Sequence, residues 1–373
     1  STPIKSSAAS DVYKRQIMMK YVNKIIFLWL YVSVLIGCTE NKTHTVLELF
    51  SESYPLSIME EWCVNEDSLA VIEGLICDGE NLIVNDYHLG DSYTLFDVKS
   101  GEHIARFGAI GQGPDEIPLG CYGYLSKKYF FVFSDRIKTI MKYSLDSLRS
   151  GKVNGSPMRL AKYNIPNMEI SRLIAIDDST FVGSGTYESR YQYLLFDKNS
   201  RVLDYGIDVY NSTDSLFDIY TRYLANQGDL VMNPKKKEFA SSVNFSSNID
   251  FFEIVNNKIK VKKSLRLGDP ISKPFVGGGG TIFSVDLTED TQIGYINLSA
   301  TTQYVYALYS NKKVYEASRK SNIVLVFDWN GNPVKKYVLD TDAYYIAVDE
   351  VQQNIYAAVK NSESGWSIVC YSL

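Results

Sequence analysis

Histidine is scarce in this chain: there are three in 373 residues, His44, His88 and His103. A catalytic zinc needs several ligands converging on one point. His44 falls at the start of the folded part, His88 in a loop and His103 on an outer strand, so these three do not supply a centre. Cysteine is nearly as rare, and Cys38, Cys63, Cys77, Cys121 and Cys370 match no CxxC or zinc spacing. There is no G-x-S-x-G elbow, the usual mark of a serine hydrolase riding on such a scaffold. Basic charge is also short, with 38 Lys+Arg against 43 Asp+Glu and a formal charge of −5. Nucleic acids are bound by concentrated positive charge, so no nucleic-acid partner is expected. Lys235-Lys236-Lys237 is the one basic run, and it reads as a solvated hairpin tip. The main hydrophobic stretch, Ile25–Ile36, has 12 residues, against the roughly 20 a membrane-spanning helix needs. Amphipathic helical periodicity is missing too, except at Ser215–Ala225.

What is present points to strands. Aromatic residues make up 13% of the chain, with 28 Tyr and 17 Phe, and 45% of residues are hydrophobic. Such side chains suit half-buried pleated surfaces, and this composition excludes a disordered chain. A closed all-β fold can absorb this length as one domain.

The leader has the layout of an export signal. Met18-Met19-Lys20 opens it, Lys20 and Lys24 form a positive n-region, and Ile25–Ile36 is long enough for an h-region. It ends in Leu35-Ile36-Gly37-Cys38, which resembles the bacterial lipobox. That resemblance implies cleavage before Cys38 and lipid attachment to its sulfur, and several acyl chains give stable anchoring. The alternative is an unlipidated signal or a membrane anchor. Residues 1–17 read as an expression or assembly scar, 18–37 as signal peptide, 38–44 as tether and 45–373 as the folded domain. Without residues 1–37 the chain carries 33 basic and 42 acidic side chains. Thr39-Glu40-Asn41 holds one acid, a weak surface-export tag, so the facing of the anchor stays open. Cys63, Cys77, Cys121 and Cys370 are either disulfide-bonded in some unreadable pairing or buried free thiols.

Beyond the tether, short apolar runs alternate with turn residues. Tyr93–Asp97, Tyr193–Asp197, Leu325–Asp328 and Ile249–Glu253 are each an apolar strand ending in an acid, followed by a tight turn and a second strand. That is a hairpin signal. A weaker copy spans Met141–Asp146. Four strands per unit give six units, near 69–107, 121–160, 171–209, 228–267, 294–339 and 343–373. This spacing predicts an all-β, six-bladed β-propeller of four-stranded antiparallel blades. The last unit has three strands, and an unpaired edge is costly. The pattern therefore predicts that an N-terminal strand, Thr45–Phe50, closes the last blade.

Residues 75–120, through Asn81–Val84, Tyr93–Asp97, Phe107-Gly108 and Gly111-Gln112-Gly113-Pro114-Asp115-Glu116, resemble one NHL-type propeller repeat. With the lipobox leader, the chain resembles the six-bladed NHL-like or TolB-like propeller lipoproteins of Bacteroidota. The resemblance implies a closed propeller in the cell envelope, held at the outer membrane by its lipid, in a family that largely lacks an assigned activity. Some NHL-type propellers are zinc lyases with channel histidines, which this chain does not provide.

Loop length selects a face. Links between second and third strands, and between blades, are long: Asp86–Asp91, Gly108–Pro118, Gly185–Arg190, Tyr210–Gln227, Gly268–Thr281 and Ser310–Ser321. They emerge on one face of a propeller, and long loops on a rigid scaffold are where binding residues concentrate. The candidates there are Asp86, Tyr87, His88, Asp135 and Arg136, with Gly111 and Gly113 as an anion cradle. Each has a structural alternative: an aspartate can cap turn amides, and the glycines can serve an unusual φ. Gly277–Gly280 reads as a flexible loop tip. No cofactor, metal or catalytic residue is called for. The reading is a monomeric scaffold that binds a protein or glycan and meets the membrane through its lipid. The alternative is a glycan-active hydrolase or lyase using carboxylates at the channel mouth.

Overall fold

The computed structural model describes residues 45–373 apart from 63–68, 70, 88, 114, 127, 152–156, 165–168, 188–190, 209–222, 269, 271, 277–281, 317–318 and 362–364. The leader, Cys38, His44, Cys63 and most of Ser215–Ala225 lie outside the described residues. The described chain opens with a 3₁₀ turn, Val46–Leu49, then β1 (Ser53–Leu56) and β2 (Glu60–Trp62). Blade 1 is β3 (Gly74–Cys77), β4 (Asn81–Asn85), β5 (Asp91–Asp97) and β6 (His103–Ala109). Blade 2 is β7 (Tyr122–Ser126), β8 (Tyr129–Ser134), β9 (Thr139–Ser144) and β10 (Met158–Lys162), with α1 (Leu145–Ser150) between the last two. Blade 3 is β11 (Glu169–Asp177), β12 (Thr180–Tyr187), β13 (Tyr191–Asp197) and β14 (Val202–Asp208). Blade 4 is β15 (Leu230–Met232), β16 (Glu238–Ser242), β17 (Ile249–Val255) and β18 (Lys258–Leu265). A separate hairpin follows, β19 (Ser272–Val276) and β20 (Ile282–Leu287). Blade 5 is β21 (Gln292–Ala300), β22 (Tyr304–Lys313), β23 (Ser321–Asp328) and β24 (Pro333–Ala343), and blade 6 is β25 (Tyr345–Asp349), β26 (Asn354–Asn361) and β27 (Gly365–Ser372).

Within each blade, strands adjacent in sequence are adjacent in the sheet and antiparallel. The six predicted units therefore stand as a six-bladed propeller. An N-terminal strand does close the ring, but not the one that the apolar pattern pointed to. Val46–Leu49 is a 3₁₀ turn whose Val46, with Phe50, packs among Phe251, Phe327 and Trp329. Apolar content placed it in the core without specifying a strand. The closing strand is β2, antiparallel to β27 with Glu60 opposite Cys370 and Trp62 opposite Ile368. β1 adds a parallel fifth strand to blade 5, Ser53 opposite Lys336.

Two local readings are corrected. After β9 the chain forms α1 instead of the tight turn expected at Met141–Asp146. Ser144 caps it by accepting from Ser147 N at 3.3 Å, Gly151 ends it at φ 63°, and Leu145 and Leu148 are buried. The long link from Gly268 contains the β19–β20 hairpin. Lys235–Lys237 is the exposed tip joining β15 to β16, as expected.

The core lies between blades. Tyr93 packs on Phe107 and Phe130, Phe107 on Tyr143, and all four are 2% exposed or less. Each such buried side chain contributes roughly 1.5–3 kcal/mol. Polar groups lock the same seams. The Tyr93 hydroxyl donates to Cys121 O at 3.0 Å between blades 1 and 2, and the Tyr124 hydroxyl donates to Ala175 O at 3.0 Å between blades 2 and 3. The Tyr193 hydroxyl donates to Asp250 at 2.8 Å between blades 3 and 4. Asn297 brackets Ile346, donating to its O at 2.9 Å and accepting from its N at 3.0 Å, between blades 5 and 6.

Candidate binding mouth of the channel

Strand directions alternate, so the first strand of every blade begins at the end of the ring where the long links lie. Side chains at those starts meet around the channel mouth. Tyr345 opens β25; burial raises its hydroxyl pKa, Arg319 and Arg172 pull it down, and Glu73 and Tyr122 push it up. All four therefore lie within electrostatic reach of that hydroxyl. Tyr87 joins them: burial pushes it up to about 12, the Asn85 amide opposes this, and Glu73 and Tyr122 add to it. The Arg172 guanidinium sits 3.5 Å from the Tyr122 ring centroid. Its Nη1 donates to Ser171 O at 3.0 Å and its Nε lies 3.6 Å from Asp229 Oδ1. Asp229 also accepts from Leu230 N at 3.0 Å and Leu298 N at 2.9 Å. Every blade thus contributes: Glu73 and Tyr87 from the first, then Tyr122, Arg172, Asp229, Arg319 and Tyr345.

Beside this ring, between blades 2 and 3, is a cleft of about 200 Å³ lined by Tyr122, Asp135, Arg136, Arg172, Tyr223 and Gln227 among others. A TolB-like six-blade propeller family model matches residues 75–351. The chain belongs to the TolB-like six-bladed propeller family. Among solved structures, a Bacteroides fragilis protein named as exported is 12% identical, with a TM-score of 0.53, covering 86% of this chain and 98% of its own. A DUF4221 family member from Bacteroides vulgatus is 10% identical, with a TM-score of 0.48, covering 85% and 97%. Both likenesses concern the fold. No curated protein matches the sequence significantly.

Within this TolB-like propeller the residues singled out from sequence fall into different roles. Asp86 is fully buried, accepting from Thr94 Oγ1 at 3.1 Å and lying 3.6 Å from Arg106 Nη1. It ties β4 to β5 and β6 within blade 1. Tyr87 does reach the mouth; His88 lies outside the described residues. Asp135 is held by Lys138 Nζ and by the Tyr163 hydroxyl, each at 2.8 Å, while Arg136 lines the cleft. Gly111 and Gly113 have no left-handed φ and offer no free cradle. The Glu116 carboxylate already occupies it, accepting from Gly113 N at 2.7 Å, and a Cβ on Gly111 would meet Glu116 Oε2 at 1.8 Å. A Cβ at Gly111 would displace the Glu116 carboxylate from the Gly113 amide.

Sequence reasoning missed Glu73, Tyr122, Arg172, Asp229, Arg319 and Tyr345. The available signal was position: Glu73, Tyr122, Asp229 and Tyr345 sit at or next to the start of a blade's first strand, and Arg172 lies three residues into one. Cys77, Cys121 and Cys370 are free thiols. Burial raises all three, Cys121 and Cys370 to about 11, so they are protonated and poorly nucleophilic. Among the described residues no group of three or more His, Cys, Asp or Glu could hold a metal ion.

Proposed function

We propose that this TolB-like propeller is a binding module of the bacterial envelope, lipid-anchored through Cys38 at the outer membrane, with its ligand surface at the channel mouth. The observation that carries the reading is the convergence on one opening of tyrosines and arginines from five blades, with Asp229 from the fourth holding Arg172. Aromatic and arginine side chains on a rigid frame are the usual anchors of recognition. The likeness to an exported Bacteroides protein supports the envelope placement. A catalytic role for paired carboxylates finds less support. Asp135 is engaged by Lys138 and Tyr163, and Asp229 by backbone amides and Arg172.

The test is a screen of the purified protein against glycan and peptide arrays, repeated with Tyr122→Ala and Tyr345→Ala. Either variant should weaken a hit about tenfold or more, since a lost aromatic anchor costs 2 kcal/mol or more. Hits that survive both substitutions would move the binding surface elsewhere.

A further inference from the structure

The cleft between blades 2 and 3 holds two arginines in unlike states. Arg172 is fixed by Tyr122, Ser171 and Asp229. Arg136, on the link from β8 to β9, is exposed, lines the cleft, and makes no hydrogen bond or ion pair among the described residues. The other charges around it are matched: Lys138 lies against Asp135 and Arg172 against Asp229. Among the described residues one positive charge therefore remains uncompensated on a concave surface, in a protein of negative net charge.

We infer that this cleft takes the carboxylate end of a sugar acid, a reading that rests on the mouth being a binding surface. A single excess charge matches a monoanion. A doubly charged phosphate would leave one charge unmatched in a partly desolvated site. A guanidinium fork fits a planar carboxylate through two parallel hydrogen bonds. The volume, about 200 Å³, is below the roughly 300–1,000 Å³ of sites for drug-sized ligands, so it admits one residue-sized group. The rest of the wall suits a hydroxylated ring. Gln227 offers an amide, and Tyr122 is 45% exposed. Arg136 grips the carboxylate, and Arg172, held still by its three partners, orients it at little entropic cost.

The test uses the purified protein with galacturonate and glucuronate as probes, galactose and glucose as their neutral counterparts, and titration read by calorimetry and by saturation-transfer NMR. At least one uronate should bind about tenfold more tightly than its neutral parent, weaken as salt rises, and lose about tenfold in Arg136→Gln. Arg136 is exposed, so that variant should keep the wild-type melting temperature. Lys235→Gln, on the opposite face, removes the same charge and should bind as wild type. Equal binding of acid and neutral sugar, no uronate binding, or an equal loss in Lys235→Gln would each overturn the inference. An acetylated dipeptide acid that outcompetes both uronates would overturn the sugar assignment. The two readings fail separately. A neutral array hit that is lost in Tyr122→Ala but kept in Arg136→Gln preserves the binding mouth and removes the sugar acid.

Discussion

Asp97, Asp197 and Asp328 each end the third strand of a blade and turn the chain. Asp97 accepts from Lys99 N and Ser100 N, both at 3.0 Å. Asp197 accepts from Asn199 N at 2.9 Å and Arg201 N at 3.0 Å, and Asp328 from Asn330 N at 2.9 Å and Asn332 N at 2.8 Å. The backbone bond from Ser100 holds Asp97 below the ordinary carboxylate range, and that from Arg201 does the same for Asp197. A carboxyl depressed on folding stabilises the fold above its unfolded pKa, about 3.9. That contribution disappears as pH falls through the folded value. The double variant Asp97→Asn/Asp197→Asn should therefore show a shallower loss of stability on acidification below about pH 4, measured as urea midpoints against pH. A slope equal to wild type would contradict the assignment. These turns were legible as an acid before Gly, Asn or Ser. The role of Asp86 was not, because its neighbour Arg106 lies two strands away and only pairing brings them together.

At the scale of elements, glycine marks where backbones touch. A Cβ on Gly294 would meet Ser246 O at 1.7 Å, and one on Gly228 would meet Ser242 O at 1.7 Å, so the link into blade 4 and the start of β21 press on the second strand and turn of blade 4. Backbone cannot step aside as a side-chain end can. Gly294→Ala should cost about 3 kcal/mol, whereas Gly74→Ala, whose nearest atom would be Asn85 Cβ at 3.7 Å, should cost under about 1 kcal/mol. Guanidinium denaturation of the two variants compares them directly, and equal midpoints would refute the close approach. The strand-turn-strand units were readable from their alternation. The β19–β20 hairpin and α1 were not, since each sits inside a link where neither period 2 nor period 3.6 runs long enough to show.

For the whole molecule, closure joins the two ends of the domain. β2 supplies the outer strand that blade 6 lacks, and the Trp62 ring packs tilted at 5.1 Å from Tyr356 while lying against Gly101 of blade 1. β1 and β2 are thereby pinned beside blades 5 and 6, with β2 some twenty residues downstream of Cys38. Lipidation at Cys38 would tether this rigid ring to a membrane through a short segment. Cys38→Ser should abolish incorporation of radiolabelled palmitate and move the protein into the soluble fraction. Label retained by the variant, or absent from the wild type, would remove the anchor from the proposal.

Fold class, blade number and the face carrying the long links followed from sequence, because strand alternation and turn chemistry are local and repeat six times. Which N-terminal segment closes the ring, and which side chains share its mouth, followed only from the tertiary structure. Thr45–Phe50 is as apolar as a strand but turns into the core, and Glu60–Trp62 is barely a pattern at all. Glu73, Tyr122, Arg172 and Tyr345 are separated by dozens to hundreds of residues. It is the circular arrangement of the blades that sets them side by side.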